Sequence, residues 1–324
     1  MRSARKPALG LLLGFLLAAF CAPHAAAEEN SNLSPAGIVR RAVNNEVAAD
    51  QQGGGIHFMF KDLKKTPQSS QTKLVVETRE ATAGLLVMQN GRPLTPQERQ
   101  TEDARLSAYV QNPQELRSKQ KQEKADADHS ERILRALPDA FLYQRDGTQP
   151  SREGLGAPGD DLIQLNFRPN PKYNPPTHVE QVLTGMHGHL LIDVNQDRIA
   201  EIDGTLQSEV GFGWGILGHL DPGGRFLVQQ ADVGDHHWEV THMELSFTGK
   251  ILFVKKLSIH SSDVFTDFHP VPDLTFAQGV ELLKKKAAEI RAAEGTPQTG
   301  NKNAQNENNK TAREQAEKAP CCDP

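Results

Sequence analysis

Residues 161–272 constrain the fold of this chain more than any other stretch. Short alternations of apolar and polar residues recur there, separated by Gly, Asn and Asp turn residues. Alternation with a period of two is the pattern of half-buried strands. Ile163, Leu165 and Phe167 alternate with Gln164 and Asn166, and Leu190, Ile192 and Val194 alternate with His189, Leu191 and Asp193. A return strand is expected over 199–206, and further strands over 226–230, 238–247 and 251–259. Turns are expected at Asn195-Gln-Asp197, Asp221-Pro-Gly-Gly224 and Thr248-Gly-Lys. Consecutive hairpins with short turns form an antiparallel meander, and such a sheet coils as it grows. Gly211-Phe-Gly-Trp-Gly215 sits at the centre of the run. Glycines inside a strand pattern permit a bend, with Phe212 and Trp214 filling what it encloses. The motif lacks the helix and Lys of a phosphate loop.

Before this run, Ser34 and Pro35 open an amphipathic helix over 35–50, with Ile38, Val39, Ala42, Val43 and Val47 on one face. Strands are expected at 56–60, 72–79 and 84–90, with a turn at Asn90-Gly91. Thr95-Pro-Gln-Glu98 is a capping box. The helical segment it starts, 95–137, is very polar, with an expected interruption over 125–130, and reads as a solvated insertion or lid. A strand at 141–143 and a loop over 145–160 follow, and 177–186 reads as a short helix. Residues 274–293 read as a final helix that buries Phe276, Val280, Leu283 and Ala287. The architecture expected is mainly β with helices, in one domain over 28–293.

Both termini read differently. Arg2, Arg5 and Lys6 precede an apolar run over 9–20 and a small-residue site, Ala25-Ala26-Ala27, so residues 1–27 have the form of an export leader cleaved after Ala27. Cys21 follows Phe20, whereas lipid attachment requires a small residue there. No later run approaches the length of a membrane helix, so the chain is not expected to be an integral membrane protein. Residues 294–324 contain no Val, Ile, Leu or aromatic residue and are expected to be a disordered polar tail. The three cysteines, Cys21, Cys321 and Cys322, supply no disulfide framework. The formal net charge is −5, and loss of the basic leader makes it more negative. That balance argues against nucleic acid as a partner.

The motifs that could carry chemistry are few. His187 and His189 share a strand face, and His236 and His237 precede Trp238; these four form the candidate metal set, for a metal-binding protein or a metal-dependent hydrolase. Asp193, Asn195 and Asp197 match the first ligand positions of a calcium loop, but Arg198 stands where Gly is needed and Gly204 where a bidentate Glu is needed, so an Asx-rich turn explains them better. Glu201 and Asp203 share a strand face without an apolar pocket, unlike a tuned acid/base pair. No nucleophile motif is present, and neither an enzyme nor a cofactor is expected. What remains is a long apolar concave surface. Phe58, Phe60, Leu165, Ile192, Phe226 and Trp238 are the candidate lining residues of a ligand groove, with the 274–293 helix over it.

Phe167-Arg-Pro-Asn-Pro, Met186-His-Gly-His-Leu-Leu-Ile-Asp193, Ile199-Ala-Glu-Ile-Asp-Gly204, Val210-Gly-Phe-Gly-Trp-Gly215, Gly223-Gly-Arg-Phe226, Trp238 and Asp267-Phe268 give the chain a pattern that resembles exported bacterial proteins near the outer-membrane lipoprotein-sorting superfamily. The resemblance covers mainly 160–272 and, more loosely, 35–90. It implies a strongly curved, unclosed antiparallel half-barrel with helices covering its concave face. It also implies binding of acyl chains or lipoproteins without catalysis, in the periplasm or at the outer membrane. The segment 95–137 and the Cys-tipped tail depart from simple carriers, and that segment offers a surface for another envelope protein.

Overall fold

The computed structural model describes residues 33–52, 56–212, 218–251 and 255–295. The leader, the tail and the centre of the glycine-aromatic motif (Gly213, Trp214 and Gly215) lie outside them. Thirteen strands form one antiparallel sheet. They are β1 (His57–Lys65), β2 (Ser70–Val76), β3 (Ala83–Gln89), β4 (Arg92–Pro93), β5 (Phe141–Pro150), β6 (Asp161–Pro169), β7 (Met186–Asp193), β8 (Arg198–Leu206), β9 (Val210–Phe212), β10 (Gly218–Leu220), β11 (Arg225–Asp232), β12 (Trp238–Ile251) and β13 (Lys255–Val271). The main order is β4-β3-β2-β1-β13-β12-β11-β8-β7-β6-β5, with β10 pairing β12 and β9. The two ends of this order do not pair, so the sheet is an unclosed half-barrel.

Among the described residues four α-helices accompany it, α1 (Pro35–Gln52), α2 (Pro96–Gln111), α3 (Pro113–Ala140) and α4 (Phe276–Gly295), together with a short 3-10 helix over Glu180–Gly185. Cross-strand partners share a face, so the register shows which face each helix covers. Leu190, Ile202, Val228, Met243, Asp263 and Lys64 form one continuous row. Leu190 belongs to the core that α1 seals through Ile38, Val39, Ala42 and Val43. On β1, Met59 points away from Lys64's face and joins Leu74, Val76, Leu85, Phe276, Val280 and Leu283 in a second core under α4. Thus α1 covers one face over β5–β8, and α4 covers the other face over β1–β3. The α4 stripe is the one its helical spacing predicts.

The helical segment carries the chain from one sheet edge, β3–β4, to the other, β5. Its break falls at Asn112-Pro113 rather than at 125–130. Proline lacks the N–H that a continuing helix needs, and Asn112 ends α2 and caps α3 by accepting the Gln114 N–H at 3.0 Å. Across 125–130, Lys124–Asp128 and Arg135–Glu131 pairs at i,i+4 support an unbroken helix. Both ends of the segment are anchored. Leu106 is buried in the α4 core, and Leu137 and Ala140 are buried under α1. The middle is polar. At the β3 edge, Glu102 accepts the Leu86 N–H and Arg105 donates to the Gly84 carbonyl. These bonds occupy backbone groups that would otherwise template pairing with another chain.

Three turn expectations shift. β5 runs through Pro150, into the expected loop. β12 and β13 stay paired from Thr248–Ser258 to Ile251–Lys255, so Thr248-Gly-Lys is strand. A Cβ on Gly249 would lie 2.1 Å from the His219 carbonyl oxygen, so this glycine admits β10 rather than turning the chain. β9 and β10 are antiparallel partners, with Phe212 opposite Gly218, so Val210–Phe212 and Gly218–Leu220 are two paired strands rather than parts of one bent strand.

Candidate functional site

Five of the six groove candidates, Phe58, Phe60, Leu165, Ile192 and Phe226, lie on one face of the sheet but do not form one open surface. Leu165 and Ile192 are closed into the core beneath α1, with Phe226 half-buried against it. Trp238 packs with Leu155, Leu162 and Leu191 in a third cluster. Phe58 and Phe60 face away from α4 and lie in a chain of rings. The Phe60 centroid is 5.2 Å from Phe268 and 5.9 Å from Phe265, and Phe58 is 6.2 Å from Phe268.

What no helix covers, among the described residues, is the middle of the sheet. Val228, Met243, Leu245 and Phe247 lie on the face that α1 covers further along; they are half-buried and belong to none of the three packed clusters. Ile259, opposite Phe247, is 40% exposed. The helices pack on flanking strands, α1 on β5 and β8 and α4 on β2 and β3. Phe265 and Phe60 continue this apolar floor toward one end of the sheet.

At that end is a cavity of about 600 Å³. Glu46 and Ala49 of α1, Phe58 and Glu77 from the β1–β2 side, Arg198 of β8, and His236 to Glu239 at the β11–β12 hairpin line it. β11, β12 and β13 lie between β8 and β1 in the ladder, so one cavity can touch both only because the sheet curls around it. The uncovered floor is therefore on the concave side.

The cavity is polar with aromatic walls. Arg198 is committed to Glu46 through contacts of 2.9 and 2.8 Å, and Glu46 also accepts the Ile199 N–H at 2.8 Å. The guanidinium carbon of Arg198 lies 5.3 Å from the Trp238 ring centroid. Glu77 accepts the Phe58 N–H at 2.8 Å. Burial pushes its pKa up, against that hydrogen bond and the nearby His57. Glu239 has no hydrogen bond or ion pair among the described residues. Burial, reinforced by the charge of Glu77, pushes it up to about 7, while Arg198 opposes the rise. Asp235 and His236 both have positive φ, 52° and 61°. This tight turn presents His237 edge-on to Phe58, with centroids 5.9 Å apart.

The four candidate metal histidines separate into two pairs. His236 and His237 line the cavity. His189 lies mid-strand on the opposite face of the sheet and meets Glu201 at 2.8 Å, a hydrogen bond that raises the imidazole's pKa. Burial raises the Glu201 pKa, but hydrogen bonds from His189 and Gln229 outweigh it and hold the group low. Asp203 is paired with Arg225 at 2.9 Å, so Glu201 and Asp203 are structural partners. His187 Nδ1 is buried without a hydrogen-bond partner. Among the described residues the convergent set of metal-ligand types is a different one: Glu209, His219 and Asp221 beside β9 and β10. The calcium-like run is an Asx turn, in which Asp193 accepts the Asn195 and Gln196 N–H groups at 3.1 Å.

Glu46, Glu77 and Arg198 carry no motif. They come from three distant segments, and only the curl of the sheet assembles them. Glu239 is visible in the sequence only as a neighbour of His236 and His237.

No family model matches the sequence, and no curated protein does. Among solved structures, the chain is similar to an outer membrane lipoprotein-sorting protein domain from Vibrio parahaemolyticus, at 11% identity and a TM-score of 0.27, covering 75% of this chain and 97% of that one. It is also similar to a DUF1329 family protein from Desulfovibrio piger, at 9% identity and a TM-score of 0.22, covering 74% of this chain and 96% of that one.

Proposed function

We propose that the protein is an exported, non-catalytic binding protein of the cell envelope. It takes an apolar ligand, of the lipid, acyl-chain or lipoprotein class, on the concave floor of its half-barrel. The observation that carries this reading is the run Val228, Met243, Leu245, Phe247 and Ile259, which no helix among the described residues covers: α1 lies further along the same face, and α4 lies on the opposite face rather than over the groove. An apolar surface of this kind in a curved sheet is a site for a hydrophobic guest. The leader pattern over 1–27 supports export. No helix among the described residues is long and apolar enough to cross a membrane. The polar helical segment α2–α3, crossing from edge to edge, is the surface this reading offers to a second envelope protein.

Native mass spectrometry and lipid extraction of the protein purified from an exporting host test the reading. Acyl-containing adducts are expected, released by organic solvent. Protein that emerges without lipid and fails to bind a fluorescent fatty acid would contradict it.

A further inference from the structure

The polar cavity and the apolar floor join end to end, and their chemistries are complementary in one ligand. Phe58 forms part of the cavity wall, and the ring chain Phe58–Phe268–Phe60–Phe265 leads from it onto the concave face. Inside the cavity the one buried cation, Arg198, is already matched by Glu46. Glu77 and Glu239 have no ion-pair partner among the described residues, and Glu239 has no hydrogen-bond partner either. A 600 Å³ space with two uncompensated carboxylates and walls of Phe58, Trp238 and His237 is the combination that recognises an organic cation. From this geometry, and resting on the groove reading above, we infer that the cavity is the headgroup site of a long-chain primary amine. The ammonium sits on Glu77 and Glu239, and the alkyl chain runs past Phe58 along the concave floor.

The charge balance sets a pH dependence. The groups facing the space are Glu46 and Arg198, paired with each other; Glu77 and Glu239; His57, with Asp273 at 3.5 Å; His236, with Asp232 at 3.7 Å; and His237. The two carboxylates bind a cation only when ionised. Burial raises both above the ordinary carboxylate range, Glu239 to about 7, so the site gains the charge of Glu239 as pH rises through that region.

Competition against a fluorescent fatty acid, using dodecylammonium, dodecanoate and a twelve-carbon lysophosphatidylethanolamine, tests the inference on the full chain. At pH 8 dodecylammonium is expected to bind at least about tenfold more tightly than dodecanoate, the scale of a charge-assisted hydrogen bond. The preference should shrink at pH 5.5. It should also shrink at pH 8 in Glu239→Gln and, independently, in Glu77→Gln, both nearly isosteric. The lysolipid binds more tightly than dodecylammonium where the ammonium belongs to a lipid headgroup, and more weakly where it is a free amine. Equal binding of amine and carboxylate, or a preference unchanged in both variants, would overturn the cation site and leave the groove standing. Failure of every probe, with the fluorescent fatty acid itself not binding, would remove the groove as well.

Discussion

Gly188→Ala is expected to prevent the native sheet from forming. A Cβ at this position would lie 1.8 Å from the Asp203 carbonyl oxygen and 2.8 Å from the Gly204 Cα. Both contacts are with backbone, so no side-chain rotation relieves them. β7 and β8 would have to separate by more than an ångström in the middle of a ladder that is buried on one face. Overpacking costs of about 1–3 kcal/mol apply when side chains can shift; here the loss should exceed about 4 kcal/mol, the exceptional range for a single substitution. Phe167, Gly188, Gly204 and Phe226 are successive cross-strand partners on β6, β7, β8 and β11. Two glycines flanked by two phenylalanines let the sheet bend sharply while rings cover the exposed backbone. Gly84→Ala is the control, because its nearest neighbour would be 3.8 Å away. Urea denaturation followed by circular dichroism should show near-wild-type stability for Gly84→Ala and no cooperative transition for Gly188→Ala. A wild-type transition in Gly188→Ala would mean that this register is wrong.

The second large effect is expected at Glu46. Its carboxylate is 8% exposed and holds Arg198, which is 12% exposed, together with the Ile199 N–H. Glu46→Ala leaves a buried guanidinium without its partner and a strand N–H without an acceptor. Breaking a buried pair from one side costs about 3–5 kcal/mol. Water entering the adjacent cavity places this case near the lower end, about 3 kcal/mol. Glu46→Gln keeps an acceptor for the Ile199 N–H and should lose less. Denaturant midpoints measured for wild type, Glu46→Gln and Glu46→Ala should fall in that order. Equal midpoints would show that the α1–β8 junction does not depend on this ion pair.

The two cases mark what could be read from the sequence. Local patterns were legible where one segment carries the whole signal. The α4 stripe of Phe276, Val280, Leu283 and Ala287 depends only on helical spacing. The Asn90-Gly91 turn depends on two residues that tolerate positive φ, and both adopt it. The Thr95 box depends on reciprocal bonds three residues apart, 2.7 Å from the Thr95 N–H to the Glu98 carboxylate and 3.3 Å from the Glu98 N–H to the Thr95 hydroxyl. The curvature of the sheet follows from alternation and hairpins, whereas its unclosed form was only what the resemblance implied. Glycine roles were not legible, because a missing Cβ matters only through what lies across the strand. Gly188 read as unremarkable and Gly249 as part of a turn, yet both admit a neighbouring backbone within contact distance. The groove candidates were chosen by alternation, which marks a buried face without distinguishing a face closed by α1, as at Leu165 and Ile192, from one left open, as at Met243 and Leu245. The meeting of the cavity carboxylates was not legible for a different reason. Glu46 and Glu77 come together only when the three strands between β8 and β1 curl, Glu239 stands on one of those strands, and no local pattern encodes that meeting.

The central claim is that the open stretch of concave sheet holds the ligand, and adjacent residues of β12 test it because they point to opposite faces. Leu245 lies on the concave floor; Ser246 faces the other side, opposite Arg225 and His260. Titration of a fluorescent fatty acid into wild type, Leu245→Glu and Ser246→Glu is the direct measurement. The account predicts saturable binding to wild type, about tenfold or greater weakening in Leu245→Glu from a charge placed in the apolar path, and little change in Ser246→Glu. Equal affinities for all three proteins, or stronger impairment by Ser246→Glu, would contradict it.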